Sequence, residues 1–450
     1  MKRLLLFITA ILFWGIHSTS AHSDISRKKV GLVLSGGGAK GMAHIGALKI
    51  IEEAGIPIDY VVGTSMGSII GGLYTPEQMD TMVRKQDWSY LLSDRISRSE
   101  KNMAEREVDE KYVISVPFSK KAIQDVTGGL IKGQNIGNLF SELTLGYHDS
   151  INFNKLPIPF ACVSENIVNG KEYNFHSGVL STAMRASMAI PGVFTPVRLD
   201  SMVLVDGGVI NNYPVNVAKQ MRPANELENA GEILGQLIDL MGQDNYVKNV
   251  KETDVYIKVN VKGYSAASFS KTAVDSLIHR GLVAAKSQKD ALMKLKKEIG
   301  LSEDYQPKRK ITYDPVEWIM IKNIYFKGLD EKDTRWVMKR CDLEENSFNS
   351  VQRIKEATTI ILANTNYSDV SYQLLQNEHG EYDLIYTLNK KNESRINIGV
   401  RFDSEEIASL LLNARTTLPT KLPSYVSATV RLGKRYGVQL SYGIEPSPLT

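Results

Sequence analysis

Two short stretches carry residue types whose spacing could do chemistry. Gly63-Thr64-Ser65-Met66-Gly67 fits G-x-S-x-G, in which a serine sits on a tight turn between a strand and a helix and presents its hydroxyl for attack. The residues around Ser65 are small because the turn is sharp and its strand and helix pack closely. The plain alternative is a serine that caps a helix by accepting backbone N–H groups. The second stretch is Asp206-Gly207-Gly208, which closes the apolar run Met202 to Val205. Active sites of open parallel sheets gather at such strand ends. The plain alternative for Asp206 is an Asp-Gly turn.

A nucleophilic serine needs a base. The chain has 7 histidines. His17 and His22 fall at the N-terminal leader, and His44 reads as a packed helix residue. His148, His176, His279 and His379 sit in no recognisable catalytic setting. A Ser65–Asp206 dyad is therefore the economical reading. A carboxylate is intrinsically a weak base, so Asp206 is expected to be partly buried, which raises its pKa.

A third stretch, Ser35-Gly36-Gly37-Gly38-Ala39-Lys40-Gly41, follows an apolar strand. A Walker A loop needs Ser or Thr after its lysine, and here Gly41 follows Lys40. The dinucleotide pattern G-x-G-x-x-G fits Gly36, Gly38 and Gly41, with Asp59 loosely placed for a ribose, but it leaves Ser65 and Asp206 without a role. The oxyanion reading gives all three stretches one purpose. The amides of Gly37 and Gly38, at the start of the next helix, would face a developing negative charge that the helix dipole also favours. Lys40 faces outward, holds the loop, or adds positive potential for an anionic substrate.

These residues need elements to position them. Lys29 to Ser35 reads as a buried strand. Ala39 to Gly55 reads as a helix, with Met42, Ile45, Leu48 and Ile51 on one face. Ile58 to Val62 is a second strand, and Ser65 to Leu73 a helix lying close on a sheet. The order implies parallel strands with right-handed crossovers. Pro157 to Ser164 is a further strand, Ala183 to Phe194 a short helix ended by Pro191, and Met202 to Val205 the strand that delivers Asp206. Asn225 to Ile299 reads as mostly helical with one strand at Asp254 to Val259, and the lysines of 286–297 as a solvated helix face. Lys310 to Lys390 has the order β-α-α-β-β, helices on one face of a sheet. Arg395 to Gly443 alternates in short segments, as a soluble sheet or tilted membrane strands would.

Composition bounds the rest. The chain has 450 residues, is 43% hydrophobic and 23% charged, and carries a formal net charge of +4. That is enough chain for two or three domains, and the weak, dispersed basic excess gives no reason to expect nucleic acid. Cys162 and Cys341 read as two buried thiols rather than a disulfide framework. Met1-Lys2-Arg3, the apolar run Leu4 to Ile16 and Thr19-Ser20-Ala21 read as a signal peptide over 1–21. Nothing calls for a metal or organic cofactor.

The glycine loop at 36–41, the elbow at 63–67, Arg185 to Phe194 and Asp206 to Val215 together resemble the bacterial patatin-like phospholipases. The resemblance implies an α/β fold, a three-layer α/β/α domain with a mostly parallel sheet, over 28–300. It implies Ser65 as nucleophile, Asp206 as base and the Gly37 and Gly38 amides as oxyanion hole. Gly36, Lys40, Gly41, Gly63, Gly67, Gly207 and Gly208 become supporting residues. The implied substrate is a phospholipid or other fatty acyl ester, met at a membrane surface. Lys40 stands where the family often has arginine. Residues 310–390 further resemble a small α+β POTRA domain, and 392–450 the first antiparallel strands of an outer-membrane barrel. Together they point to the secreted subgroup and to the periplasm or outer membrane of a Gram-negative bacterium. The tail offers roughly three or four strands, too few to close a barrel.

Two departures bear on activity. After Met221 the chain lacks the family's Gly-Ala-Asp and following core strand, and a shorter gap follows Leu73. They motivate the rival expectation, a catalytically impaired envelope protein that binds peptides or strands by edge addition. An intracellular serine peptidase is disfavoured by the leader. Oligomeric state is not legible.

Overall fold

β1 (Gly31–Leu34) lies parallel to β2 (Tyr60–Thr64), with Leu34 opposite Gly63. Between them a 3-10 turn at Gly38–Met42 runs into α1 (Ala43–Glu53), so the helix expected over Ala39–Gly55 begins as a tighter turn. After β2 come Ser65 and then α2 (Met66–Ile70). α3 (Pro76–Lys85) starts with Thr75 and Gln78 in a reciprocal capping box and proline at its first turn. The computed structural model describes residues 27–71, 74–94, 111–117, 129–220, 245–307, 316–329, 331–363, 367–390, 394–401, 408–418 and 424–444. The signal peptide expected at 1–21 and the segments after Met221 and around Leu73 lie outside the described residues.

Further along come β3 (Ile114–Pro117), α4 (Gln134–Leu143), β4 (Phe160–Asn166), β5 (Lys171–Phe175), α5 (Leu180–Ser187), β6 (Val197–Leu199) and β7 (Met202–Asp206). Then come α6 (Val215–Gln220), α7 (Lys271–Lys286) and α8 (Lys289–Glu298). The first sheet has six strands in the order β1-β2-β4-β7-β6, with β5 paired to β4. The expectation of a mostly parallel sheet is corrected here. β1–β2 and β2–β4 are parallel, but β4–β7, β6–β7 and β4–β5 are antiparallel, because 171–175 and 197–206 return by hairpins rather than helical crossovers.

Period-two alternation shows how this sheet is covered. Val61, Phe160 and Cys162 face a large core with Ile45 and Leu48 of α1 and Val274 and Leu277 of α7. Val62, Ala161 and Val163 face the other way, against Val217 and Ala218 of α6. That is a layer of helix on each side of the sheet. Each such aliphatic side chain taken out of water contributes about 1.5–3 kcal/mol. Asp254 to Val259, expected as a strand, pairs with no strand among the described residues. Val255 and Ile257 only pack against the core. Lys296 departs from the expected solvated face: it is buried and donates to the carbonyls of Glu303 and Tyr305.

The second half holds β8 (Trp318–Lys327), α9 (Glu331–Cys341), β9 (Ser347–Ser350), α10 (Val351–Ala363), β10 (Tyr367–Gln376) and β11 (Tyr382–Lys390). They make a four-stranded sheet in the order β9-β8-β11-β10, with one more strand, β9, than expected. α4 docks on it. Gln134 accepts from the Val370 amide at 3.0 Å, Asn138 donates to Thr358 at 3.2 Å, and Lys355 pairs with Glu142 at 2.6 Å.

β12 (Ser394–Arg401), β13 (Ser409–Leu418), β14 (Ser424–Leu432) and β15 (Gly437–Ile444) form consecutive antiparallel pairs. Their sheet has a fifth strand, β3, so the order is β15-β14-β13-β12-β3. The expected start of an outer-membrane barrel is corrected: the described strands make an open sheet, and its last member comes from residues 114–117 rather than from a continuing C-terminal series. Both cysteines are buried free thiols.

Candidate active site

β2 and β7 end on either side of β4. Thr64 stands opposite Val163 and Asp206 opposite Ser164, so the two strands, running in opposite directions on either side of β4, end beside the same point of it and bring Ser65 and Asp206 together. The Ser65 hydroxyl donates to Asp206 Oδ2 at 2.6 Å. Ser65 is 5% exposed and Asp206 6%. No histidine lies in this pairing. His44 bonds the Ser35 carbonyl and His148 the Ser141 carbonyl.

Ser65 has φ 52 and ψ −121, a backbone conformation that costs an ordinary residue of order 1–3 kcal/mol. Several bonds hold it there. The Ser65 amide donates to Ser187 Oγ at 2.9 Å, Ser68 Oγ donates to the Ser65 carbonyl at 2.6 Å, and Thr64 Oγ1 donates to the Asn211 carbonyl at 2.9 Å. Gly63, one residue before the end of β2, lies against the first turn of α2, and Gly67 lies in that turn against the Leu34 carbonyl.

Asp206 is held as firmly. Its amide donates to the Ala189 carbonyl at 2.9 Å, and its Oδ1 accepts from the Gly208 amide at 2.7 Å. Gly207 backs onto the Val163 carbonyl. Burial pushes the Asp206 carboxyl up to about 6, against the opposing pull of the hydrogen bonds from Ser65 and Gly208. A carboxylate in that range can take and return a proton near neutral pH.

The glycine loop abuts the serine. A side chain on Gly36 would come within 2.6 Å of Asn212 Oδ1 and 2.9 Å of the Ser65 Cβ. The Gly36 amide donates to Asn212 Oδ1 at 3.1 Å, the Ala39 amide to Ala266 O at 2.8 Å, and the Lys40 amide to Gly37 O at 3.2 Å. The amides of Gly37 and Gly38 have no partner among the described residues. Gly37 has φ 145 and Gly38 φ 55, values that favour glycine. Lys40 closes the turn and is half-buried, and Gly41 packs on Met66.

Asp59 does something other than the dinucleotide alternative requires. It accepts from both Arg27 guanidinium nitrogens at 2.6 and 2.7 Å and from the Val30 amide at 2.7 Å, pinning the start of β1. The sequence reading missed Ser187, Asn211 and Asn212. Their only signal is placement, Ser187 inside Arg185 to Phe194 and the two asparagines just after Asp206-Gly207-Gly208.

Residues 32–219 match the family described as patatin-like phospholipase. The chain is 33% identical over 218 residues to patatin-like phospholipase domain-containing protein ZK370.4 of Caenorhabditis elegans, covering 47% of this chain and 14% of that protein. It is 32% identical over 211 residues to patatin-like phospholipase domain-containing protein 6 of Homo sapiens, covering 44% of this chain and 14% of that protein. The chain therefore spans about one-seventh of the length of these relatives. This homology supports a serine-hydrolase, phospholipase-type function for the core domain. BamA from Haemophilus ducreyi lacking POTRA domains 1–3 is matched at 20% identity and a TM-score of 0.22, covering 29% of this chain and 25% of that one.

Two expectations are corrected by these findings. A TM-score that low carries no argument, so the secreted subgroup, the POTRA domain and the barrel are without support, and the family match lies at residues 32–219. The periplasmic or outer-membrane assignment falls with them. It rested on the leader, which lies outside the described residues, and on a barrel, whereas the described C-terminal strands form an open sheet and the relatives matched at about a third identity are animal patatin-domain proteins. No helix among the described residues is long and apolar enough to cross a membrane.

Proposed function

We propose that this protein hydrolyses fatty acyl esters, phospholipids among them, through a Ser65–Asp206 dyad within a hydrolase unit of residues 28–300. The observation that carries this reading is the 2.6 Å hydrogen bond from Ser65 Oγ to a carboxylate that burial holds near 6, made from a serine on a strained turn. The helix α7 belongs to the unit because it packs on α1.

Ser65 Oγ attacks the acyl carbonyl carbon while its proton passes to Asp206 Oδ2. The carbonyl oxygen becomes an oxyanion, met by the amides of Gly37 and Gly38 at the positive end of the turn that leads into α1. The ester C–O bond breaks, and Asp206 returns the proton to the departing alkoxide. Water then gives its proton to Asp206 and attacks the acyl-serine, and the acid leaves as Ser65 recovers its proton. A membrane surface is the place where such substrates are met.

The test is hydrolysis of a medium-chain aryl ester and of phosphatidylcholine vesicles by the full chain. Ser65→Ala and Asp206→Ala should each lose about 10³-fold or more of kcat with an unchanged circular dichroism spectrum. Retained activity in either folded variant sinks the dyad.

A further inference from the structure

The end of α5 holds both members of the dyad, and one side chain there has no role in the chemistry above. Ser187 is fully buried, at 0% exposure. Its hydroxyl donates to the Val163 carbonyl at 2.6 Å and accepts the Ser65 amide at 2.9 Å. Two residues on, the Ala189 carbonyl accepts the Asp206 amide at 2.9 Å. One short stretch, 187–189, therefore grips the nucleophile and the base by their backbones and ties both to β4, the strand between them.

The direction of the Ser187 bonds matters. Its one proton is committed to Val163, so its oxygen is left to accept from Ser65, and the two bonds fix each other. The Ser65 amide is the group that must turn when φ is forced to 52. Without an acceptor at that point the buried N–H would be unpaired, and the turn could relax toward ordinary backbone, carrying Oγ away from Asp206 Oδ2.

We infer that Ser187 is a positioning residue for the hydrolase, a buried hydroxyl that locks the strained backbone of Ser65 so that Oγ stays in line with Asp206. This rests on the dyad reading. It acts through Ser65 and touches no substrate, so its loss should fall on kcat and leave KM alone. A displacement of about 1 Å at a reacting atom can cost on the order of 10²-fold in rate.

The test uses the full chain and three substitutions, with Ser65→Ala as reference. Ser187→Ala removes both bonds, Ser187→Cys keeps the volume with a poor hydrogen-bonding group, and Ser187→Thr keeps the hydroxyl. Expected is a kcat loss of about 10–100-fold in Ser187→Ala and Ser187→Cys at unchanged KM, with Ser187→Thr recovering most of it. The same two variants should react more slowly with a fluorophosphonate, which needs no substrate-binding groove. If Ser187→Ala does not fold, the thiol variant gives the same reading. Full activity in Ser187→Cys would reduce Ser187 to packing and overturn the inference, as would a loss expressed only in KM. Activity persisting in Ser65→Ala would instead overturn the dyad, so the two failures are told apart.

Discussion

The first sheet and the last sheet of this chain use alternation in opposite senses. In the first, valines, alanines and a phenylalanine on both faces are covered by helices. In the last, Asn397, Asn413, Ser427 and Thr429 are buried while Val426, Val430, Leu440 and Tyr442 on neighbouring strands are exposed. Three of these buried polar groups form a ladder across three strands: Asn397 donates to Asn413 at 2.7 Å, and Asn413 donates to Thr429 at 2.8 Å. The buried polar group that ends the first sheet is different. Asp206 is an ionisable group whose burial raises its pKa towards the range where a carboxylate can exchange protons near neutral pH. The contrast teaches that alternation announces strands, whereas which face turns inward, and whether a buried polar group is structural or reactive, depends on its partners.

The sharpest way to break this comparison is a charge in each sheet. Val62→Asp places an unpaired carboxylate between β2 and α6 and should cost more than about 4 kcal/mol, enough to abolish cooperative unfolding. A clean melting transition in that variant would refute the packing described for the first sheet.

Asp206 offers a subtler test. Its carboxyl titrates at about 6 in the folded protein, above the ordinary 3.8 of an aspartate side chain in water. The folded state therefore holds more protons than the unfolded state between those values. The stability this contributes is full below the window and is lost as pH rises through it. At neutral pH the residue opposes folding, so Asp206→Asn should raise stability by on the order of 1–3 kcal/mol while abolishing hydrolysis. Equal urea midpoints at pH 7.5 would show that burial imposes no such cost.

Asn413→Ala should lose about 1–2 kcal/mol, because it removes the bonds to Asn397 and Thr429 at once. A neutral result would mean the ladder carries no stability. Leu440→Lys, at a side chain 77% exposed, should stay within about 0.5 kcal/mol, and a large loss would show that this face is covered in solution.

Much of the site was legible because its chemistry constrains local sequence. A serine elbow needs small neighbours, and a loop with φ of 145 and 55 at successive residues favours glycine. Those constraints are printed in Gly63 to Gly67 and Gly36 to Gly38. Ser187 was not legible, since a buried serine that accepts one backbone amide looks like any small residue in a helix. The antiparallel half of the first sheet was missed because the hairpin return of 171–175 carries no crossover signal. The tail was misjudged for a related reason. Its alternation fits an open sheet and a barrel equally, and the decisive strand, Ile114–Pro117, lies far away in sequence.

The proposed catalysis turns on Asp206 activating Ser65, and the rate of fluorophosphonate labelling against pH tests that most directly. Labelling of the full chain should rise with pH to a plateau, half-maximal near 6. It should vanish in Ser65→Ala and fall steeply, with its pH dependence gone, in Asp206→Asn. Labelling that persists in Ser65→Ala, or that is equally fast and pH-independent with and without the Asp206 carboxylate, would contradict such activation.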